Sequence, residues 1–251
     1  MNKILLALGI GLLALIAVIA ITLGLYMGPI VKAGVQGVGP KMIQVPITMD
    51  DVYISLLTGS AQVKGLIVGN PQGYKTPQAI SVGLVSVSVA PFSVLSNKIV
   101  VRSVQVKSAQ ITFEGGLSGN NLSRIMDNVN AFSKKALPAS SQSNNKPAPK
   151  IEVDDFLITG AKVDVHIASF GSSRAMTIPL PDIHLTDLGK DSNGLTPAEL
   201  TKAILNSIIS ETIKAVSGSV TGVVQGMKGV GKTVAGSVGE ISNSISALFK
   251  Q

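Results

Sequence analysis

The residues able to do acid–base or metal chemistry are few in this 251-residue chain. Its only two histidines each follow an aspartate by two positions, Asp164 before His166 and Asp182 before His184. Residues two apart on a strand share a face, so two neighbouring strands can offer four ligands to a metal such as zinc. The alternative, which we favour, places both pairs on the wet face of a half-buried sheet. We therefore expect no metal and no cofactor.

A second pattern, at residues 226–233, matches the glycine-rich phosphate-binding loop letter for letter as GMKGVGKT. Such a loop works when a strand precedes it and a helix follows, because its backbone N–H groups then surround the phosphate. The chain ends soon afterwards, at Gln251, which is too early for the further strands of a nucleotide-binding domain. We interpret the match as chance in a tail rich in glycine, lysine and valine, and expect no nucleotide.

The remaining composition argues against catalysis and against nucleic acid. Fourteen acidic residues and two histidines show no Ser-His-Asp order and no paired-carboxylate motif, so we predict that the protein is not an enzyme. Aromatic residues make up 4% of the chain and tryptophan is absent, which leaves few rings to stack on bases. The net charge of +7 is spread thinly and suits anionic lipid headgroups. The absence of cysteine excludes disulfides and thiolate metal sites.

The N-terminal segment predicts a membrane anchor. Residues 4–31 carry no charge, a longer stretch than the roughly 20 residues that cross a bilayer core. We predict an uncleaved transmembrane anchor at residues 1–31, because a signal peptide has a shorter core and a small-x-small cleavage site. Gly28 and Pro29 are expected to end this helix, with a connector at residues 32–47. The long C-terminal part should translocate, leaving the N-terminus in the cytoplasm.

Alternating aliphatic residues predict strands in two regions, residues 48–114 and 151–188. The strands at residues 80–89 and 99–114 change the phase of alternation midway, which predicts β-bulges and a curved sheet. Their apolar residues are the candidate lining of an apolar groove: Val82, Leu84, Val85, Val87, Val89, Val104, Val106, Ile111 and Phe113.

Helices are predicted in three places around these strands. Residues 120–132 place four apolar side chains on one side, and a second helix starts at Thr196 with a threonine cap, a proline and a glutamate. Residues 217–251 repeat apolar residues in steps of three and four and space glycines by four, which predicts an amphipathic helix that packs closely. A weakly ordered tail is the alternative. Residues 136–150 predict a polar linker.

The segment from residue 59 to residue 132 resembles the N-terminal repeat of the AsmA-like proteins. The specific part is the turn formed by Asn70, Pro71, Gly73 and Tyr74. A short helical insertion at Pro91–Leu95, the strand at residues 99–113 and a helix entry at Asn120 and Asn121 continue the resemblance. Residues 151–216 are similar to the sheet-plus-helix portion that follows in short members.

The resemblance implies an α+β fold in which a curved, mostly antiparallel sheet forms a groove or taco that holds acyl chains, as in bridge-like lipid-transfer proteins. It also implies a single-pass protein of the Gram-negative inner membrane whose bulk faces the periplasm and serves envelope and outer-membrane biogenesis. We accordingly expect an anchor (1–31), a connector (32–47), an AsmA-like β-domain (48–135), a linker (136–150), a second sheet-plus-helix part (151–216) and the amphipathic tail (217–251).

Chain length limits this expectation. Some ten strands at about 4.8 Å each give a groove of roughly 50 Å, too short to bridge an envelope alone. We therefore expect a protein that binds or helps transfer membrane lipids, with an envelope protein as a possible partner. The alternative is a membrane-tethered structural or interaction module, closed into a sandwich comparable to the desiccation-related LEA type-2 domains. An enzyme using the two aspartate–histidine pairs is the third, least favoured, hypothesis.

Overall fold

Ten strands form one open sheet, mostly antiparallel, and helices pack on one of its faces. The computed structural model describes residues 27–55, 58–116, 119–136, 150–166 and 176–229. These residues confirm the α+β class. The strands are β1 (Ile47–Thr48), β2 (Asp51–Ser55), β3 (Ser60–Gly69), β4 (Gln78–Val89), β5 (Lys98–Lys107), β6 (Gln110–Glu114), β7 (Lys150–Thr159), β8 (Lys162–His166), β9 (Met176–Pro179) and β10 (Ile183–Leu188).

Eight of these strands join end to end in pairs, so the sheet is narrower than ten strands suggest. β1 and β2 both pair with β3, while β5 and β6 both pair with β4. β7 lies beside β5, and β8 lies beside β6. At the outer edge, β10 pairs with β7 and β9 pairs with β8. The sheet therefore has six strand positions, and five spacings of about 4.8 Å give roughly 24 Å. The expected width of 50 Å is wrong for this reason.

A line of backbone breaks crosses the sheet and creases it. Gly65 in β3, Ser108 between β5 and β6, and Gly160 between β7 and β8 all have φ between 54° and 61°. Hydrogen bonds join the breaks at Ser108 and Gly160, since Ser108 N donates to Thr159 O and Lys162 N to Ala109 O, each at 2.9 Å. An extra residue in a strand bends it and reverses which residues face the core. The predicted changes of phase are confirmed by burial, because Val82 and Val85 both face the core although they are three residues apart, and so do Val106 and Ala109.

Two of the strand contacts are parallel, β5 with β7 and β6 with β8. Parallel neighbours require a crossover connection, because a tight hairpin turn makes the next strand antiparallel to the first. Helix α2 (Asn121–Ala136) lies in that connection, between β6 and β7. The ten strands form one sheet, so the alternative of a closed two-sheet sandwich is wrong for the described strands.

The apolar face of the sheet is buried under α2 and α3 (Pro197–Gly229). On one side of the crease, Val63, Val85, Val106 and Ile158 lie opposite one another across four strands. The predicted stripe of α2 covers this face: Leu122, Ile125, Met126 and Val129 are buried. Leu205, Ile208 and Val216 of α3 belong to the same core. The predicted start of α3 is confirmed by a capping box, in which Thr196 N donates to Glu199 Oε2 at 2.8 Å.

Two predicted boundaries are wrong. Residues 27–43 form helix α1, which packs along the edge strands β1 and β2, so most of the predicted connector at residues 32–47 is helical. A side chain at Gly28 would meet the carbonyl oxygen of Val52, and one at Gly39 would meet Ile47. Residues 217–229 are helical as predicted, but they continue helix α3 without a break, so no boundary falls at residue 217; residues 230–251 lie outside the described residues.

The predicted membrane anchor falls mostly outside the described residues, which begin at Met27. Within the part of the chain that the structure describes, no helix is both long enough and apolar enough to cross a bilayer. Most of the predicted linker, residues 137–149, also lies outside the described residues.

The crease gives a matched pair of substitutions. Gly65→Ala should lower the free energy of unfolding by about 2 kcal/mol, because a non-glycine residue at φ 59° costs about 1–2 kcal/mol and its Cβ would meet the Asp50 carboxylate. Gly83→Ala, on the neighbouring strand, has open space and should change stability by less than about 0.5 kcal/mol. Urea denaturation of the full chain followed by circular dichroism measures both. Equal effects would show that the crease has no special backbone requirement.

Candidate functional site

The nine predicted lining residues divide into three groups in the structure. Five are core residues between the sheet and its helices and are at most 9% exposed: Val82, Val85, Val106, Ile111 and Phe113. A ligand reaches none of these without moving a helix. Leu84 lies on the opposite face, where Lys64 and Lys107 are its cross-strand neighbours. Its assignment to the lining is therefore wrong, because β4 changes phase one residue earlier than the sequence suggests.

The third group is half-buried and lies at one end of the apolar face. Val87, Val89 and Val104 pack against the core but keep part of their surface open. Val87 lies directly opposite Val104, and Val104 lies opposite the buried Phe156 of β7. This half-buried row is one of several parts of the apolar face that the helices leave incompletely covered. It runs to the end of the sheet at which β4 leads into the 3-10 helix η1 (Pro91–Leu95).

The other face of the same strands is polar. Ser86 lies opposite Gln62 and Gln105, and Ser88 lies opposite Ser60 and Ser103. Adjacent residues of β4 therefore present a hydroxyl to one side and a valine to the other. The difference between the two faces makes the half-buried valines a distinct surface.

The turn at Asn70, Pro71, Gly73 and Tyr74 is held to the start of α2 by a buried amide. Asn121 has no exposed surface. Its Nδ2 donates to Asn70 Oδ1 at 2.9 Å and to Thr112 O at 2.7 Å, and its Oδ1 accepts from Glu114 N at 2.9 Å. Asn120 caps α2, since its Oδ1 accepts from Ser123 N at 2.9 Å. The Asn-Asn pair thus fixes where the helix covers the sheet.

The Glu114 carboxylate closes the same turn from the other side. It accepts from Lys75 N at 2.6 Å, from Thr76 N at 2.9 Å and from Thr76 Oγ1 at 2.5 Å. Burial acts to raise the pKa of Glu114, but these hydrogen bonds outweigh burial and hold the pKa below its ordinary value. Burial raises the pKa of Tyr74 in the same turn, and the charge of Glu114 adds to the rise.

The sequence indicated a turn at Asn70, Pro71, Gly73 and Tyr74, but it did not indicate that Glu114 binds this turn. Asn70 Nδ2 donates to Thr76 Oγ1 at 2.6 Å, Tyr74 N donates to Pro71 O at 3.4 Å, and Gly73 has a φ of 97°. We name Asn70, Thr76, Glu114 and Asn121 the turn lock. Its geometry is that of a structural clamp, since each polar atom faces another protein group. The only available signal for Glu114 was an acid ending an aliphatic strand.

The two aspartate–histidine pairs are not brought together. His184 Nε2 lies 2.6 Å from Asp155 Oδ1 on the neighbouring strand, while Asp164 accepts from Thr177 Oγ1 at 2.5 Å. Asp182 accepts from Gly160 N at 3.4 Å. In the described ranges, no three acidic or histidine side chains are grouped so as to hold a metal ion.

The phosphate-loop pattern begins inside a helix. Residues 226–229 are the last of α3, and residues 230–233 lie outside the described residues. A phosphate-binding loop follows a strand, which is a different local setting.

Comparison with known proteins adds no assignment: no protein-family model matches this chain, and no curated protein matches it. The function must therefore be argued from the surfaces described above.

Proposed function

We propose that this protein is a membrane-anchored lipid-binding module of the AsmA-like type, which contacts acyl chains through the half-buried end of its apolar sheet face. The single observation that carries the proposal is the half-buried row of Val87, Val89 and Val104. The uncharged segment at residues 4–31 supplies the anchor. By the resemblance, the anchor lies in a bacterial inner membrane and the sheet faces the periplasm, in the service of envelope biogenesis.

The dimensions favour holding a lipid over bridging two membranes. A sheet roughly 24 Å across is narrower than the about 30 Å hydrocarbon core of one bilayer. Five of the expected lining residues are already filled core. What stays open suits part of one lipid, presented at the membrane or passed to an envelope partner.

Photocrosslinking from adjacent residues tests this function. Benzoylphenylalanine in place of Val87, in the full chain in bacterial membranes, should form phospholipid adducts detectable by mass spectrometry. The same group in place of Ser86 should form few, because both positions are half-buried but residue 86 lies on the polar face. Equal lipid adducts at the two positions, or none at Val87, would remove the basis of lipid binding.

A second function, a tethered interaction module, is favoured by the filled core. Five of nine candidate lining positions are at most 9% exposed, as in a structural domain. In that case, residue 87 should yield protein adducts of constant mass and no lipid adducts.

A further inference from the structure

The 3-10 helix η1 holds a bare aromatic side chain away from the sheet. Phe92 is 88% exposed and Val94 is 45% exposed, although both are large hydrophobic residues. Burying such side chains typically stabilises a protein, a gain that the fold forgoes here. An exposed aromatic next to a second apolar residue indicates a contact surface.

This helix is braced by hydrogen bonds at both ends. Ser93 Oγ donates to Ala90 O at 2.7 Å and accepts from Val100 N at 2.9 Å. Ser96 Oγ donates to Ser93 O at 2.8 Å. Because the backbone is fixed from strand β4 to strand β5, Phe92 projects from a rigid support and cannot fold back onto the core by a local loop movement.

The first described turn of α1, which follows the proposed anchor, lies at the same end of the sheet. Gly28 of α1 lies against Val52, and Gly39 lies against Ile47, so α1 runs antiparallel to β1 and β2. Eleven helical residues at about 1.5 Å and five strand residues at about 3.3 Å both span about 16 Å, which agrees with this alignment. Lys32 Nζ, donating to Asp50 O at 2.6 Å, marks the same direction.

The C-terminal end of β2, beyond Val52, lies at the η1 end of the sheet. Ser55 pairs with Ser60, and the adjoining Gly59 O accepts from Val89 N at 2.6 Å, directly before η1. The step from Val52 to Ser55 is about 10 Å. The first described turn of α1, which presents Ile30 at 61% exposure, therefore lies at the η1 end.

We propose that η1 is a membrane-docking tip, with Phe92 and Val94 inserted into the interface of the bilayer that holds the N-terminal anchor. This proposal rests on the anchor of the proposed function but needs no lipid in the sheet. An apolar tip buried about 5–10 Å among headgroups and acyl chains, on a chain already tethered, fixes the orientation of the domain. The half-buried valines, which lead up to η1, would then face the membrane surface.

The chain contains no tryptophan, so one introduced tryptophan reports on one place. The full-length Phe92→Trp protein is reconstituted in phosphatidylethanolamine–phosphatidylglycerol vesicles containing brominated acyl chains. Met176→Trp is the matched control, because Met176 is 38% exposed and lies opposite Val165, at the far end of the composite strands. We expect blue-shifted emission and bromine quenching at residue 92 about threefold or more stronger than at residue 176, given the insertion depth of such tips.

Two results would overturn the docking tip. One is water-exposed emission from Trp at position 92 with quenching equal to the control, which would assign Phe92 to a protein partner instead. The other is a full chain that does not float with the vesicles. Photocrosslinking at Val87 is a separate readout. Quenching at residue 92 without lipid adducts at residue 87 would support the docking tip and contradict lipid binding by the sheet. Lipid adducts without quenching would support lipid binding and contradict the docking tip.

Discussion

Asn121→Ala should lower the free energy of unfolding by about 3–5 kcal/mol, the largest effect expected of a single substitution here. The change removes partners of Glu114 N, Thr112 O and Asn70 Oδ1 in a site that has no exposed surface at Asn121. Each buried polar group left without a partner costs about 1–3 kcal/mol. Alanine is the better helix former, so helix propensity alone would raise the stability of this variant. The expected loss therefore comes from the missing hydrogen bonds. Urea denaturation of the full chain, followed by circular dichroism, measures it.

The control is Arg124→Ala, an exposed position one turn along α2, which should change stability by less than about 0.5 kcal/mol. Asn70→Ala tests whether the turn lock acts as a unit. Because Asn70 and Asn121 bond each other, the double variant should lose less than the sum of the singles. Strict additivity would mean that the two amides stabilise separate elements, and a loss near that of Arg124→Ala would contradict the lock altogether.

The turn lock bears on function through the helix that it positions. Asn121 stands at the first turn of α2, and the next residue, Leu122, is fully buried beside the sheet. A loosened helix start would uncover Phe113 and Ile111, which are part of the predicted lining but closed in the native fold. The division between filled core and half-buried row is therefore set by the polar contacts of the turn lock.

The periodicities of single elements were readable from the sequence, while their pairing was not. Alternation located the strands, and the stripe from Leu122 to Val129 located α2, because each depends on residues close in the chain. The four end-to-end junctions, β1 with β2, β5 with β6, β7 with β8 and β9 with β10, depend on neighbours in space. Counting these eight strands as eight separate positions about doubled the expected width. Helix α1 was expected as a connector, and its packing against Val52 and Ile47 depends on neighbours that the local sequence does not show.

The candidate site was predictable in chemistry but not in position. Alternation alone cannot say which valines a helix will cover, and so five of nine lining candidates turned out to be core. Leu84 was misplaced because β4 changes phase before it, which puts Leu84 opposite Lys64 and Lys107. Phe92 gave no periodic signal, since η1 is one short turn, and its exposure follows only from the bracing of that turn by Ser93.

Glu114→Gln should lower the free energy of unfolding by about 2–4 kcal/mol at neutral pH, because charge-assisted hydrogen bonds are worth about 1.5–3 kcal/mol each. The amide end of glutamine would face N–H donors of Lys75 or Thr76 in place of a carboxylate oxygen. The pKa of Glu114 is lowered in the fold, so its contribution is complete above the ordinary pKa near 4.5 and is lost as pH falls through the folded-state value.

The pH profile separates this role from a general loss of packing. The stability difference between wild type and Glu114→Gln should shrink as the pH falls below about 4.5, where the unfolded-state carboxyl also protonates. Glu199→Gln is the matched control, because Glu199 also accepts hydrogen bonds that lower its pKa, but at the exposed start of α3. Its loss should stay near or below about 1 kcal/mol, as for other exposed caps. A Glu114→Gln deficit that is constant from neutral pH to pH 3 would show that the carboxylate charge does not hold the turn.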